Sequence, residues 1–425
     1  MTSVDLYQKR RAQLLQALPE NCVVVIAAHR EILRSRDTDY PFRQHSDFWY
    51  FTGFPEPDAW LLLKKDAQGQ SQSLLLCRNK DPVAEVWEGR RFGPEKASSV
   101  FGLPACSVDD LKPTLLQWLN GSAVLCYAFG ELAYVDELLA ETLAALRAAP
   151  KQGYLAPTRM EDVRPLSAEL RLIKDATEQS IMAEAGRISA AAHVKAMQQC
   201  RVGMYEYQLE AIIRHHFAMQ GARQPAYNTI VGGGENGCIL HYTDNQDRLR
   251  DGDLVLIDAG CELHGYAADI TRTFPVNGRF SPAQAAIYQV VLNAQLAACA
   301  AVKPGNSSKD TLAAAMYELT RGLLELGILQ GDLAELLATN AAKQYFIHGL
   351  GHWLGLDVHD VGAYKLEGVE RPFVEGMVLT IEPGLYIPAG SPCSETWWDI
   401  AVRIEDDLLV IKDGHLNLTD SVPKS

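Results

Sequence analysis

Four carboxylates stand where an apolar strand pattern would otherwise continue: Asp258, Asp269, Glu382 and Glu405. Asp258 closes the run 254–257, and the period of two puts it on one face with Leu254 and Leu256. After a turn containing Gly260 and Gly265, a second strand sets Asp269, Thr271 and Thr273 on one face, with Ile270 and Phe274 opposite. Folded as a hairpin, the two aspartates face each other. Taken alone, this segment supports two readings equally: a metal pair, or a turn-capping Asp with an ion pair to Arg272. Two later segments shift the balance. The strand pattern 377–383 ends in Glu382, and the pattern 401–411 places Arg403 and Glu405 on one face with Val402 and Ile404 on the other. Buried carboxylates are costly unless something cationic holds them. Four of them carry −4, and two divalent ions carry +4, so the pattern points to a dinuclear centre.

Histidines accompany the acids. His348, His352 and His359 fall within IHGLGHWLGLDVHDVG, where Gly349, Gly351 and Gly355 disfavour a regular helix and permit close backbone approach. This is not the H-E-x-x-H helix of zinc proteases. His241 follows the glycines at 232–234, a run without the Lys-Ser/Thr of a phosphate loop. The other histidines read as solvated or structural, His215 and His216 as a partly exposed helix face.

These residues need a scaffold, and the chain can supply one. It has 425 residues, of which 48% are hydrophobic and 22% charged, an ordinary globular composition. The formal net charge of −14 disfavours nucleic-acid or anionic-membrane partners. No apolar run reaches the ~18 residues that cross a bilayer. The nine cysteines form no C-x-x-C pair and several sit in apolar runs, which fits reduced thiols in a cytoplasmic protein. Residues 1–172 read as an N-terminal α/β domain, with strands expected at 22–28, 48–51, 60–63, 73–77 and 124–127 and a helix at 131–149. Residues 173–425 read as a second domain. Asp175 and Glu178 form a capping-box pattern, and Ser281-Pro282 an N-cap with proline in the first turn. Helix, basic-x-Gly, helix, strands occurs twice there, suggesting two similar halves around one site.

The spacing of Asp258 and Asp269, then H-G-x-x-H, T-I-E-P-G and R-I-E-D, resembles the signature of the pita-bread metallopeptidase superfamily. The longer words YNTIVGGGENGCILHYTDN, HWLGLDVHDVG and RSRDTDYPFRQHSDFWYFTGF are similar to the aminopeptidase P (Xaa-Pro aminopeptidase) family. The resemblance spans nearly the whole chain. It implies an N-terminal α/β domain for oligomerisation and substrate access, plus an α+β pita-bread catalytic domain whose two pseudo-symmetric halves surround a curved antiparallel sheet. It implies release of the N-terminal residue from peptides with proline second, by attack of a metal-bridging hydroxide. Two divalent ions are implied, manganese first, with cobalt or zinc as alternatives. Asp258 would chelate one metal, Asp269 and Glu405 would bridge, and His352 and Glu382 would complete the other site. Glu382 would shuttle the proton, His359 would meet the developing oxyanion, and His241 would orient the substrate. His348 would line the proline pocket. Tyr227, Tyr386 and Trp87 match substrate-side positions. Asp37 matches a residue that reaches a neighbouring subunit's site, implying a homo-oligomer, dimer or tetramer. Arg403 has two readings of equal weight: holding substrate, or orienting a ligand carboxylate. The competing functions are a prolidase restricted to dipeptides, a metal-free binding module, and a metal-free amidinohydrolase.

Overall fold

A computed structural model describes residues 4–424. The chain divides into two compact units, one ending at Arg171 and one starting at Leu172. The first is a mixed six-stranded sheet in the order Ala105–Ser107, Ser71–Cys77, Trp60–Lys65, Cys22–Ala27, Val124–Tyr127, Arg159–Asp162. Helices such as Leu111–Leu119 and Ala133–Ala148 bury Leu115, Leu119, Leu139 and Leu143 against it. One expected strand is absent: the run 48–51 lies in the helix Ser46–Thr52. Its aromatic residues suit a strand by propensity. Two end signals override that. His45 accepts a hydrogen bond from the Phe48 amide at the helix start, and Gly53, at φ 63, closes the other end.

The second unit repeats one scheme. The helix Ala176–Gln199, opened by the Asp175–Glu178 capping box, pairs with Glu206–Met219. Antiparallel strands Ile230–Gly233, Leu254–Asp258 and Thr271–Pro275 follow. The helices Pro282–Ala301 and Ser308–Glu325 then precede the antiparallel strands Val378–Ile381, Asp406–Ile411 and Gly414–Asn417. Ser281 caps the first of these helices with proline in its first turn. His216 does not join an exposed face as expected. It is buried, and Lys195 Nζ lies 2.8 Å from its Nδ1.

Two strand readings need correction, and both corrections concern the site. Asp258 pairs with Thr271, so Asp269 precedes the second strand instead of lying in it. The backbone there is packed so tightly that a Cβ on Gly260 would sit 1.6 Å from the Ala268 carbonyl oxygen. The expected strand 401–411 is two strands in different sheets, Ile400–Arg403 and Asp406–Ile411. The break falls at Ile404 and Glu405. There the Glu405 amide donates to the Thr271 carbonyl at 3.1 Å, and Arg272 Nη1 donates to the Glu405 carbonyl at 2.5 Å. Glu405 is thus delivered by a step between sheets, not by strand alternation.

Candidate metal centre

Every strand end in the second unit that the sequence marked with an acid converges on one cavity of about 660 Å³. Its lining includes Asp258, Asp269, His352, Glu382 and Glu405, together with Tyr227, His241, His348, His359 and Arg403. Ligand atoms of Asp269, His352 and Glu405 all lie within 4.8 Å of one another. His352 Nε2 is 3.5 Å from Asp269 and 3.6 Å from Glu382. Its Nδ1 lies 3.0 Å from the Trp353 carbonyl, an acceptor, so that nitrogen carries the proton. Nε2 therefore points at the carboxylates and is the nitrogen that would give its lone pair to a metal once it loses its proton, the orientation of a metal-binding imidazole. The loop that carries it packs closely enough that a Cβ on Gly351 would meet the Thr380 carbonyl at 1.9 Å.

The donor set fits cations. Tyr227 Oη lies 2.6 Å from Asp258 Oδ1 and 2.5 Å from Asp269 Oδ1. One hydroxyl proton cannot fully serve both oxygens, so the pair holds acceptor capacity that this hydroxyl does not fill. Burial, and then the neighbouring acids, push Glu405 well above the usual carboxylate range. Burial likewise raises Asp269, and takes Glu382 to about 7. His352 is lifted to about 9: burial opposes this, but Asp269 and Glu382 outweigh it. Acceptors facing acceptors in a buried site is the arrangement that divalent ions satisfy.

Arg272 does not pair with the metal-side aspartates. It is fully buried and bonds Asp406 at 2.7 Å. The cation beside Asp258 is Arg403, whose Nη2 donates to Asp258 Oδ2 at 2.6 Å. Arg403 Nη1 donates to Tyr386 Oη at 2.8 Å, leaving the Tyr386 hydroxyl proton for His348 Nε2, also at 2.8 Å. His348 Nδ1 then donates to the Gly349 carbonyl at 2.7 Å. That chain fixes the His348 tautomer, and burial with Arg403 nearby lowers its pKa to about 4, keeping it neutral. His359 packs edge-on against His352 with ring centroids 4.3 Å apart. Ile230, Leu240 and Val358 supply apolar wall.

Two supporting residues escaped the reading of the sequence. Thr271 Oγ1 donates to Glu405 Oε2 at 2.6 Å and accepts from Arg403 Nε at 3.0 Å. Its position on one face with Thr273 was the available signal. Asp407 Oδ2 accepts the Asp269 amide at 3.0 Å, and no pattern marked it. Trp87 and Asp37 belong to the first unit. Trp87 is 85% exposed on the short helix Pro82–Glu88, and Asp37 is exposed between the strands Leu33–Ser35 and Thr38–Asp39.

Comparison with known proteins places this geometry. The sequence model of metallopeptidase family M24 matches residues 180–412, and that of the aminopeptidase P N-terminal domain matches residues 7–127. The chain is 48% identical to the Xaa-Pro aminopeptidase of Escherichia coli, over 98% of this chain and 95% of that protein. Its structure superposes on proline aminopeptidase P II from Yersinia pestis with a TM-score of 0.98 and 48% identity, covering 100% of this chain and 98% of that one. A zinc-substituted E. coli aminopeptidase P in complex with product matches with a TM-score of 0.98 and 48% identity, covering 100% and 96%.

Proposed function

This chain belongs to metallopeptidase family M24, and from that premise we propose how its side chains divide the work. The fold is the pita-bread catalytic domain preceded by the aminopeptidase P N-terminal domain, and the activity is metal-dependent release of the N-terminal residue from peptides with proline in the second position. The observation that carries the chemistry is the convergence of Asp258, Asp269, His352, Glu382 and Glu405 on one cavity. Those residues would hold two divalent ions: Asp258 on one, His352 and Glu382 on the other, Asp269 and Glu405 shared. When bound, the ions supply Lewis acidity towards the scissile carbonyl and towards water. The oxygen-and-imidazole donor set suits several divalent ions, and the resemblance to the aminopeptidase P family keeps manganese as the first choice, with cobalt or zinc as alternatives.

The protein's own groups do the rest. Glu382, at the cavity, accepts the proton that the attacking water gives up and hands it to the departing proline nitrogen. His359 donates to the oxyanion, and His241 orients the peptide carbonyl. A proline amide has no N–H, so recognition rests on packing of the ring against the cavity wall, with His348 held neutral by Tyr386. The bond from Arg403 to Asp258 favours its reading as an orienting residue over a substrate clamp. Val83, Val86 and Trp87 are 73%, 80% and 85% exposed on one short helix, an apolar face that supports assembly of copies as a dimer or tetramer, with Trp87 and Asp37 serving substrate there. The nine free cysteines support a reducing, cytoplasmic setting.

The test is hydrolysis of an Xaa-Pro-Ala tripeptide by the manganese-loaded protein. Release of the first residue is expected. Cleavage confined to Xaa-Pro dipeptides would make the chain a prolidase.

A further inference from the structure

His241 reaches the cavity from a loop with little regular structure: a 3-10 turn at Gly234–Cys238, then Ile239 and Leu240. Something must fix it. The loop leaves the strand Ile230–Gly233 and returns through residues 242–247, and both of its ends meet a single buried carboxylate. Glu206, the first residue of the helix Glu206–Met219, has no solvent exposure. Its Oε1 accepts the Gly233 amide at 2.8 Å and Asn236 Nδ2 at 3.1 Å, on the side before His241. Its Oε2 accepts the Tyr242 hydroxyl at 2.9 Å and the Asp247 amide at 2.9 Å, on the side after it. Its own amide donates to the Asp247 carbonyl at 3.0 Å. All four partners of the carboxylate are donors, which suits only the ionised form, and the helix N-terminus favours that charge. The Tyr242 ring packs with Ile230, Leu256 and Tyr386. The residue next to His241 is thereby fixed both by its hydroxyl and by its ring.

We propose that Glu206 is the positioning residue for His241, its buried carboxylate stapling both ends of the loop and Tyr242 passing that restraint to the adjacent histidine. The glycines at 232–234 fit this role better than a phosphate cradle. A Cβ on Gly232 would lie 2.9 Å from the backbone of Asn236 and Gly237, so the run lets the loop fold back on itself. The inference rests on His241 acting on the substrate.

The experiment is a double-mutant cycle on the metal-loaded enzyme, reading kcat, KM and metal content with an Xaa-Pro-Ala peptide. Tyr242→Phe removes one hydrogen bond and keeps the ring. It should lower kcat about fivefold with KM and metal content unchanged. Glu206→Gln should cost more, about thirtyfold, because an amide cannot accept four donors. In a His241→Ala background either change should cost less than about twofold, since the group being positioned is gone. If the losses multiply in that background, Glu206 acts on the fold at large and the proposal fails. If His241→Ala itself keeps the wild-type rate, the histidine's own role fails first and the proposal with it. Should Glu206→Gln not fold, Tyr242→Phe alone decides.

Discussion

Glu405 and Asp406 are neighbours in sequence, both within 1% of complete burial, and they meet opposite fates. Asp406 faces Arg272 at 2.7 Å, Lys424, Gln295 Nε2 at 2.7 Å and Thr419 Oγ1 at 2.9 Å. Burial alone raises its pKa, but Arg272 and Lys424 win and hold it below the usual carboxylate range. Glu405 faces the cavity with one hydroxyl donor, Thr271, and with Asp269 and Glu382 as neighbours. Burial and these acids outweigh the opposing charge of Arg403, and its pKa rises. The same kind of side chain at the same depth is scaffold when its counter-cation is built in, and a ligand when that cation must come from outside.

That contrast can be broken in two ways. Glu405→Gln removes a carboxylate whose only protein hydrogen-bond donor described is the Thr271 hydroxyl. Metal content of the purified variant should fall and turnover should drop by at least about 10³-fold, through loss of the Lewis acid. After chelation, thermal unfolding of the variant should occur no earlier than that of the chelated parent, because a buried carboxyl crowded by other acids has been replaced by a neutral amide of the same shape. A variant that still carries two metals per chain would overturn the ligand assignment. Asp406→Asn should do the reverse. It leaves the Arg272 guanidinium buried without its carboxylate and costs about 3–5 kcal/mol in urea unfolding, in chelated and loaded protein alike. A loss seen only with metal present would move Asp406 into the centre.

The contrast also marks what was legible in the sequence. Each metal-side acid could be found because it interrupts an apolar run, and the two-fold scheme of helices and strands followed from caps and period. Periodicity alone gave no sound ground for choosing among Glu405, Asp406 and Asp407, although the R-I-E-D word also marked Glu405. Alternation pointed to Glu405 for the wrong reason, since the strand breaks there and the Arg272 contacts to two backbone carbonyls set its direction. The partner of Arg272 was equally invisible, because Arg272 and Asp406 are 134 positions apart and meet only in the folded sheet. The helix at Ser46–Thr52 was misread because propensity describes a residue's average surroundings, and here the end contacts decide.

A third way of burying a titratable group completes the comparison and gives the smallest effect. His193 is 1% exposed, its Nε2 lies 2.9 Å from the Ala259 carbonyl beside Asp258, and its Nδ1 has no hydrogen-bond partner in the described structure. It has neither a counter-ion nor a metal, so it stays uncharged: burial, with Arg272 adding to it, takes its pKa to about 4. Between that value and the ordinary 6.5 the unfolded chain binds more protons than the folded one. Stability is therefore intact above pH 6.5 and declines as pH falls through this window, by about 2 kcal/mol for this residue at pH 5. His193→Gln can keep an N–H donor to Ala259 but cannot titrate. Urea unfolding of parent and variant at pH 7 and pH 5 should show the variant losing less stability on acidification, with His348, also held at about 4, retaining part of the slope. Equal acid losses in both proteins would mean that His193 is protonated inside the fold, and then a carboxylate near it, Asp258 first, must be supplying the counter-charge that this comparison assigns to metal.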